Sequence, residues 1–301
     1  MPNSIINCSN PKNADIVLLS ANYDVTSSFG KGANKGPEAI IKCLETQIEF
    51  LERFSETNPA ATKKIAHVDL GDLNKLSPEA AIKKIREAHY QYFKAGKFVV
   101  TLGGEHSVSN GPFESMAREL DPKDVTLFHI DAHFDLRFDD SDYNDKPYGK
   151  YAHACVLRRG CELGYRTTHV GIRAYSKDEW DFAKKRKETA VFEWGRGPVP
   201  SLSKIVASLK TKKVYVTIDV DGLDPAFMPA TGTAVQGGLE WYYTFNLLSK
   251  IFKEREVIGA DVMEVAPRPG DTLTEYGAAQ LIYHMLAAKF SGATLRPAPK
   301  R

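Results

Sequence analysis

Apolar runs of strand length recur along the whole chain, and segments with helical periodicity lie between them. The strand-like runs fall at residues 15–20, 65–70, 98–102, 125–130, 167–172, 213–218 and 257–262. Several are unbroken and rich in β-branched residues, which fits strands buried on both faces in a parallel sheet. Helical periodicity covers residues 37–53, 78–94, 176–187, 201–210, 239–254 and 272–289. Pro37 and Pro78 suit a first helical turn, and Asn58-Pro59 and Asp121-Pro122 punctuate connections. The alternation predicts an α/β protein, a three-layer α/β/α sandwich around a mostly parallel central sheet. No low-complexity linker or internal repeat divides the chain, so residues 1–301 read as a single domain. Ligands in such folds bind beyond the carboxyl ends of the strands.

Three chemically loaded clusters fall there. Gly103-Gly104-Glu105-His106-Ser107 follows 98–102, and Asp131-Ala132-His133-Phe134-Asp135 follows 125–130. Asp219-Val220-Asp221-Gly222-Leu223-Asp224-Pro225 follows 213–218. If the second strand persists, alternation puts Asp131, His133 and Asp135 on one face; if the chain turns at Ala132, they still cluster at the strand's end. Singly, each cluster has an ordinary reading: a Gly-Gly turn, a core or capping histidine, aspartates that cap a turn. Jointly they are harder to dismiss, because buried carboxylates and imidazoles in one crevice carry a heavy electrostatic cost without a cation. His106, Asp131, His133, Asp135, Asp219 and Asp221 form a hard-to-borderline ligand set. They exceed the needs of one ion and fit a two-metal site, with ions roughly 3.5–4 Å apart.

Composition narrows the field. The 301 residues are 43% hydrophobic, enough for a sizeable core. Lys+Arg total 40 against 38 Asp+Glu, a formal charge of +2, which supplies no field for nucleic acid or an anionic membrane. No apolar run approaches bilayer length, and Met1-Pro2-Asn3-Ser4 lacks the character of a signal peptide. Cys8, Cys43, Cys155 and Cys161 show no paired spacing and read as reduced thiols of a cytoplasmic protein. Residues 291–301 read as a flexible basic tail. Gly30, Gly32 and Gly36 fit no nucleotide-loop spacing and read as a turn. Trp180, Trp194 and Trp241 read as packing residues, and His67, His89, His129, His169 and His284 as structural.

The three clusters resemble the signatures of the ureohydrolase (arginase/agmatinase) family. The similarity runs on through Pro229-Ala230-Thr231-Gly232-Thr233 and Glu264-Val265-Ala266-Pro267, and covers the chain from about Gly30 to the last helix. It implies an arginase-like fold and two Mn²⁺ ions. His106, Asp131, Asp135 and Asp219 would hold one ion; Asp131, His133, Asp219 and Asp221 would hold the other. Two such cations would lower the pKa of a bridging water, so that hydroxide attacks the guanidinium carbon and collapse releases urea and an amine. Asp135 would serve the chemistry as well as the metal. Glu264 would pair with the substrate guanidinium, and His153 would pass a proton to the leaving amine. The family more often has His-Gly where this chain has His153-Ala154.

Ala266 is agmatinase-like, so the resemblance implies conversion of agmatine to putrescine and urea, a step of polyamine biosynthesis, by a homo-oligomer (trimer or hexamer). Asp139, Asp140, Asp142 and Asp145 would make either an acidic mouth that attracts a dication or a merely solvated acidic loop. Arg158 or Arg159, facing that mouth, would instead favour 4-guanidinobutyrate. Arginine as substrate, a single-zinc deacetylase of the same fold and an inactive scaffold are the other readings. The second metal position completed by His106 and Asp135 argues against the deacetylase. The complete ligand set argues against the scaffold.

Overall fold

A computed structural model describes residues 4–143 and 147–290. Along the chain run β1 (Ile16–Asn22), α1 (Gly36–Thr46), α2 (Pro59–Thr62), β2 (Ile65–Asp72), α3 (Pro78–Lys94), β3 (Phe98–Gly103) and α4 (Asn110–Met116). Next come β4 (Val125–Ile130), α5 (Val156–Leu163), β5 (Arg166–Ile172), α6 (Lys177–Lys185), β6 (Thr189–Glu193) and α7 (Leu202–Ser208). The last four are β7 (Lys213–Asp219), α8 (Trp241–Glu254), β8 (Glu256–Met263) and α9 (Leu273–Phe290). The strands form one sheet in the order β2-β1-β3-β8-β7-β4-β5-β6. Every pairing is parallel.

Strand alternation builds the layers. Ile16 and Leu18 of β1, with Phe98, Val100 and Leu102 of β3, face a core shared with Ile40 and Leu44 of α1, Leu248 and Ile251 of α8, and Leu281, Ile282 and Met285 of α9. Val17, Leu19 and Val99 face the other way, toward Tyr92 of α3. Further along that face, Leu127 of β4 and Tyr215 of β7 pack with Phe113 of α4 and Leu157 of α5. Central strands covered on both faces explain the unbroken apolar runs.

The expected strands stand within two residues of their predicted bounds. The unexpected β6 is the edge strand beyond β5, and four of its five residues are only partly buried. Half-covered edges need no continuous apolar run, so the sequence does not announce it. Helix α3 matches its expectation because Ser77 caps it and Pro78 starts it. The helix expected over 37–53 stops at Thr46. Beyond it, Glu52 accepts bonds from the backbone of Phe54 and Ser55 and winds the chain into a turn. Helices α4 and α5 are only about two turns long, too short for a helical period to stand out in the sequence; each carries a glycine against a neighbour, Gly111 on Ile85 and Gly160 on Leu127. Among the described residues, no helix is long and apolar enough to cross a membrane. The basic tail expected at 291–301 and Asp145 lie outside the described residues.

One feature of the topology places the site. Strands β3, β8, β7 and β4 are consecutive neighbours, so their carboxyl ends open side by side on one edge. The loop after β3 is pressed on the loop after β1: a Cβ at Gly104 would stand 1.7 Å from the carbonyl oxygen of Tyr23. Gly104→Ala is expected to destabilise the protein by about 1–3 kcal/mol, as overpacking does. A lower urea midpoint at unchanged slope is the readout, and a wild-type midpoint would show that the close approach is dispensable.

Candidate active site

The loop after β3 carries His106. Glu105 caps its 3-10 turn by accepting from Ser107 N at 2.7 Å. The His106 ring is fully buried, and its Nε2 bonds Thr217 Oγ1 on β7 at 2.9 Å. That contact leaves Nδ1 facing Asp131 and Asp135 at 3.2 Å each and Asp219 at 3.4 Å. Nδ1 makes no hydrogen bond although three carboxylates surround it.

After Ile130, β4 ends and the chain turns. His133 N donates to Asp131 Oδ1 at 2.6 Å, and Asp135 takes a left-handed φ of 53°. The second of the two expectations for this motif is therefore the observed one. Asp131 has two directions: Oδ2 meets His106 and His129, while Oδ1 meets His133 Nδ1 at 3.4 Å. At the end of β7, Asp219 Oδ1 accepts from Asp221 N at 2.8 Å. Asp221 Oδ1 accepts from Ala132 N at 3.0 Å, and its Oδ2 lies 3.1 Å from His133 Nδ1. Thr233 Oγ1 donates to the same Oδ2 at 3.0 Å. Gly222 permits this contact between loops, since a Cβ there would stand 2.6 Å from Asp131 N.

The structure thus brings all six predicted metal-capable residues together. His106, His129, Asp131 and Asp135 form one group with donor atoms within 4.8 Å of one another; Asp131, His133 and Asp221 form a second. Electrostatics argue for a cation. Burial, then Asp221 and Asp131, hold the Asp219 carboxyl well above its usual range. Burial and Asp131 also raise Asp221. Burial opposes ionisation of Asp131 too, but His129, His106 and His133 hold it well below the carboxylate range. So many buried acids around an unbonded imidazole nitrogen fit a divalent metal.

Glu264 follows β8 with φ 66°, is almost fully buried, and accepts from His106 N at 2.9 Å. His153 Nδ1 stands 3.4 Å from it, and His153 Nε2 bonds Ser28 Oγ at 3.0 Å. His153 does start a short 3-10 turn, yet its side chain also lines the cavity. Its backbone N donates to Thr26 Oγ1, which donates to Glu105. Burial disfavours the imidazolium of His153, but Glu264 and Asp135 raise its pKa above the ordinary histidine value. A cavity of about 360 Å³ meets His133, Asp135, Asp219 and His153, and is completed by residues that include Arg137, Tyr143, Tyr175 and Glu179.

One expectation needs correction, and two open alternatives are decided. His129 is more than structural: its Nε2 bonds Asp131 Oδ2 at 2.8 Å and its Nδ1 meets His169 at 2.9 Å. Strand alternation carries this signal, since His129 precedes Asp131 by two, as Thr217 precedes Asp219. The described part of the acidic stretch does not form an open anionic mouth. Asp140 is buried and accepts from Tyr148 N and Gly149 N; Asp139 accepts from Ser141; Asp142 pairs with Arg137. Arg158 and Arg159 both pair with Glu162, and neither lines the cavity. The arginine that does is Arg137, which the sequence left unmarked.

A model of the Arginase family matches residues 14–288. The N(1)-aminopropylagmatine ureohydrolase of Synechocystis sp. is 36% identical over 91% of this chain and 88% of its own length. The agmatinase of Bacillus anthracis is 32% identical over 84% of each chain. The crystal structure of agmatine ureohydrolase of Thermoplasma volcanium superposes with a TM-score of 0.82 at 28% identity, covering 97% of this chain and 95% of that one.

Removing an outer partner of a metal ligand typically lowers metal affinity by roughly 10–100-fold. His129→Asn is expected to do so here, read by competition between protein and a chelator for a divalent metal. Unchanged affinity would reduce His129 to packing.

Proposed function

Since the chain belongs to the arginase family and is a ureohydrolase, we propose that it holds two Mn²⁺ ions and hydrolyses an amine-ended guanidine of the agmatine type to urea and the corresponding amine. The carrying observation is the convergence of His106, Asp131, His133, Asp135, Asp219 and Asp221, with Asp131 directed into both halves of the cluster. In this reading His106, Asp131, Asp135 and Asp219 hold one ion, and Asp131, His133, Asp219 and Asp221 the other. When bound, the pair supplies hydroxide at neutral pH and offsets charge that develops in the reaction.

The chain's own residues do the rest. Glu264 offers the guanidinium a buried carboxylate, the natural partner for its planar donors. Its bond from His106 N fixes its direction. Asp135 lines the cavity and takes up the proton that the attacking water releases. His153 carries a proton to the departing amine nitrogen, with Ser28 Oγ on its Nε2 as the neighbouring link. Water has then added to the guanidinium carbon, the bond from that carbon to the nitrogen carrying the alkyl chain has broken, and urea and the amine leave.

Agmatine, giving putrescine, is the first substrate of this reading. Agmatine extended by an aminopropyl group is the second. It is favoured by the names of four relatives at 31–36% identity, all called N(1)-aminopropylagmatine ureohydrolase. The four free cysteines suit a reducing compartment such as the cytoplasm.

Mn²⁺-loaded protein is expected to release urea from agmatine or aminopropylagmatine with a kcat/KM above that for arginine or 4-guanidinobutyrate. A clear preference for either of the latter sinks the substrate assignment, and a single bound zinc would favour a deacetylase. Asp131→Asn should lose activity by orders of magnitude and retain less metal while its melting transition persists; an active variant would overturn the metal assignment. His153→Asn should lower kcat by roughly 10²–10⁴-fold, the range of general acid–base contributions, with KM little moved. An unchanged kcat would remove His153 from proton transfer.

A further inference from the structure

Building on the amine-ended reading, we infer that Arg137 determines which substrate tail the cavity accepts, and that Asp142 sets its preference. Arg137 lines the same cavity as Asp135, Asp219 and His153, and it is the one Arg or Lys among the described lining residues. Its backbone N donates to Ala154 O at 3.1 Å, which ties it beside His153. Its guanidinium bonds Asp142 through Nη1 and lies 4.1 Å from the centroid of the Tyr143 ring. Its Nε stands 3.9 Å from Glu179 Oε2.

Glu179 cannot turn toward a substrate. Its Oε1 accepts from Leu136 N at 3.1 Å, and its Oε2 accepts from Ser176 N and Oγ at 2.9 Å each. Asp142 differs: it is 61% exposed, and its partner among the described residues is the arginine itself. One guanidinium therefore faces one fixed and one detachable carboxylate.

The two classes of guanidine that this family of sites can be asked to distinguish share a reacting end and differ at the tail. An ammonium tail is repelled by an unpaired arginine, while a carboxylate tail is gripped by it through two parallel hydrogen bonds. With Asp142 engaged, Arg137 lies between two carboxylates, the cavity wall carries a net negative charge, and the ammonium tail is tolerated. With Asp142 gone, Glu179 still balances the charge from the Nε side, but Nη1 is freed to bind a carboxylate tail in the place of Asp142. Arg137 touches no reacting atom in this scheme, so it acts on specificity alone.

The test is the ratio of kcat/KM for agmatine to that for 4-guanidinobutyrate, measured in wild type, Asp142→Asn, Arg137→Gln and the double variant. Loss of one carboxylate beside the tail, with Nη1 of Arg137 freed, should lower the ratio in Asp142→Asn by roughly tenfold or more, with KM moving in opposite directions for the two substrates. The double variant should recover the wild-type ratio to within about threefold, because no arginine remains to be exposed. An unchanged ratio in Asp142→Asn overturns the inference. So does an equal loss for both substrates that the double variant does not relieve, which would make the pair merely structural. A wild-type enzyme inactive on amine-ended guanidines defeats the underlying reading and this inference with it. A wild type active on agmatine with an unmoved Asp142→Asn ratio defeats the inference alone.

Discussion

Burying several carboxylates side by side is the constraint around which this molecule is organised. Asp131, Asp135, Asp219, Asp221 and Glu264 are each 5% exposed or less, and all sit on one edge of the sheet. The parallel neighbours β3, β8, β7 and β4 deliver them there, together with His106. Backbone amides hold four of them in place. His133 N binds Asp131, Asp221 N binds Asp219, Ala132 N binds Asp221, and His106 N binds Glu264. The last two bonds cross between loops, so each loop orients a carboxylate of another. The remaining negative charge points inward, where a divalent cation is the cheapest compensation.

That arrangement costs local strain. Asp135 and Glu264 adopt a left-handed backbone that only glycine visits freely. Gly104 and Gly222 allow loops to touch where any side chain would collide. The covered sheet underneath stabilises these departures, and their concentration at the strand ends agrees with a functional crevice. His129 and Thr217 lie one alternation deeper in the strands and orient Asp131 and His106 from below. The rigid sheet thus reaches directly into the orientation of the metal-capable side chains.

The cavity divides its work between scaffold and loops. Asp135 and Asp219 stand at the ends of the central strands β4 and β7. Arg137, Tyr143 and His153 come from the long connection after β4, and Glu179 from the first turn of α6. A common reaction with a variable tail is the natural outcome, since loops carry changes that a covered sheet does not tolerate.

Strand positions, the α/β class and the six metal-capable residues were legible in the amino-acid sequence. The reason is local: a buried parallel strand writes an unbroken apolar run, and its ligands follow within a few residues. Even His129 and Thr217 were accessible through the two-residue period. The edge strand β6 was not, because one exposed side removes the pattern. The choice among arginines was not legible either. Helix α5 turns Arg158 and Arg159 onto Glu162, with Arg158 also over Phe182, while the turn after Asp135 brings Arg137 to the cavity. Nor was the fate of the acidic stretch, whose described carboxylates bond Ser141, the amides of Tyr148 and Gly149, and Arg137. Residue type and spacing mark the groups capable of chemistry. Which charges face the cavity follows from packing, because a charge is neutralised by the partner that folding brings to it.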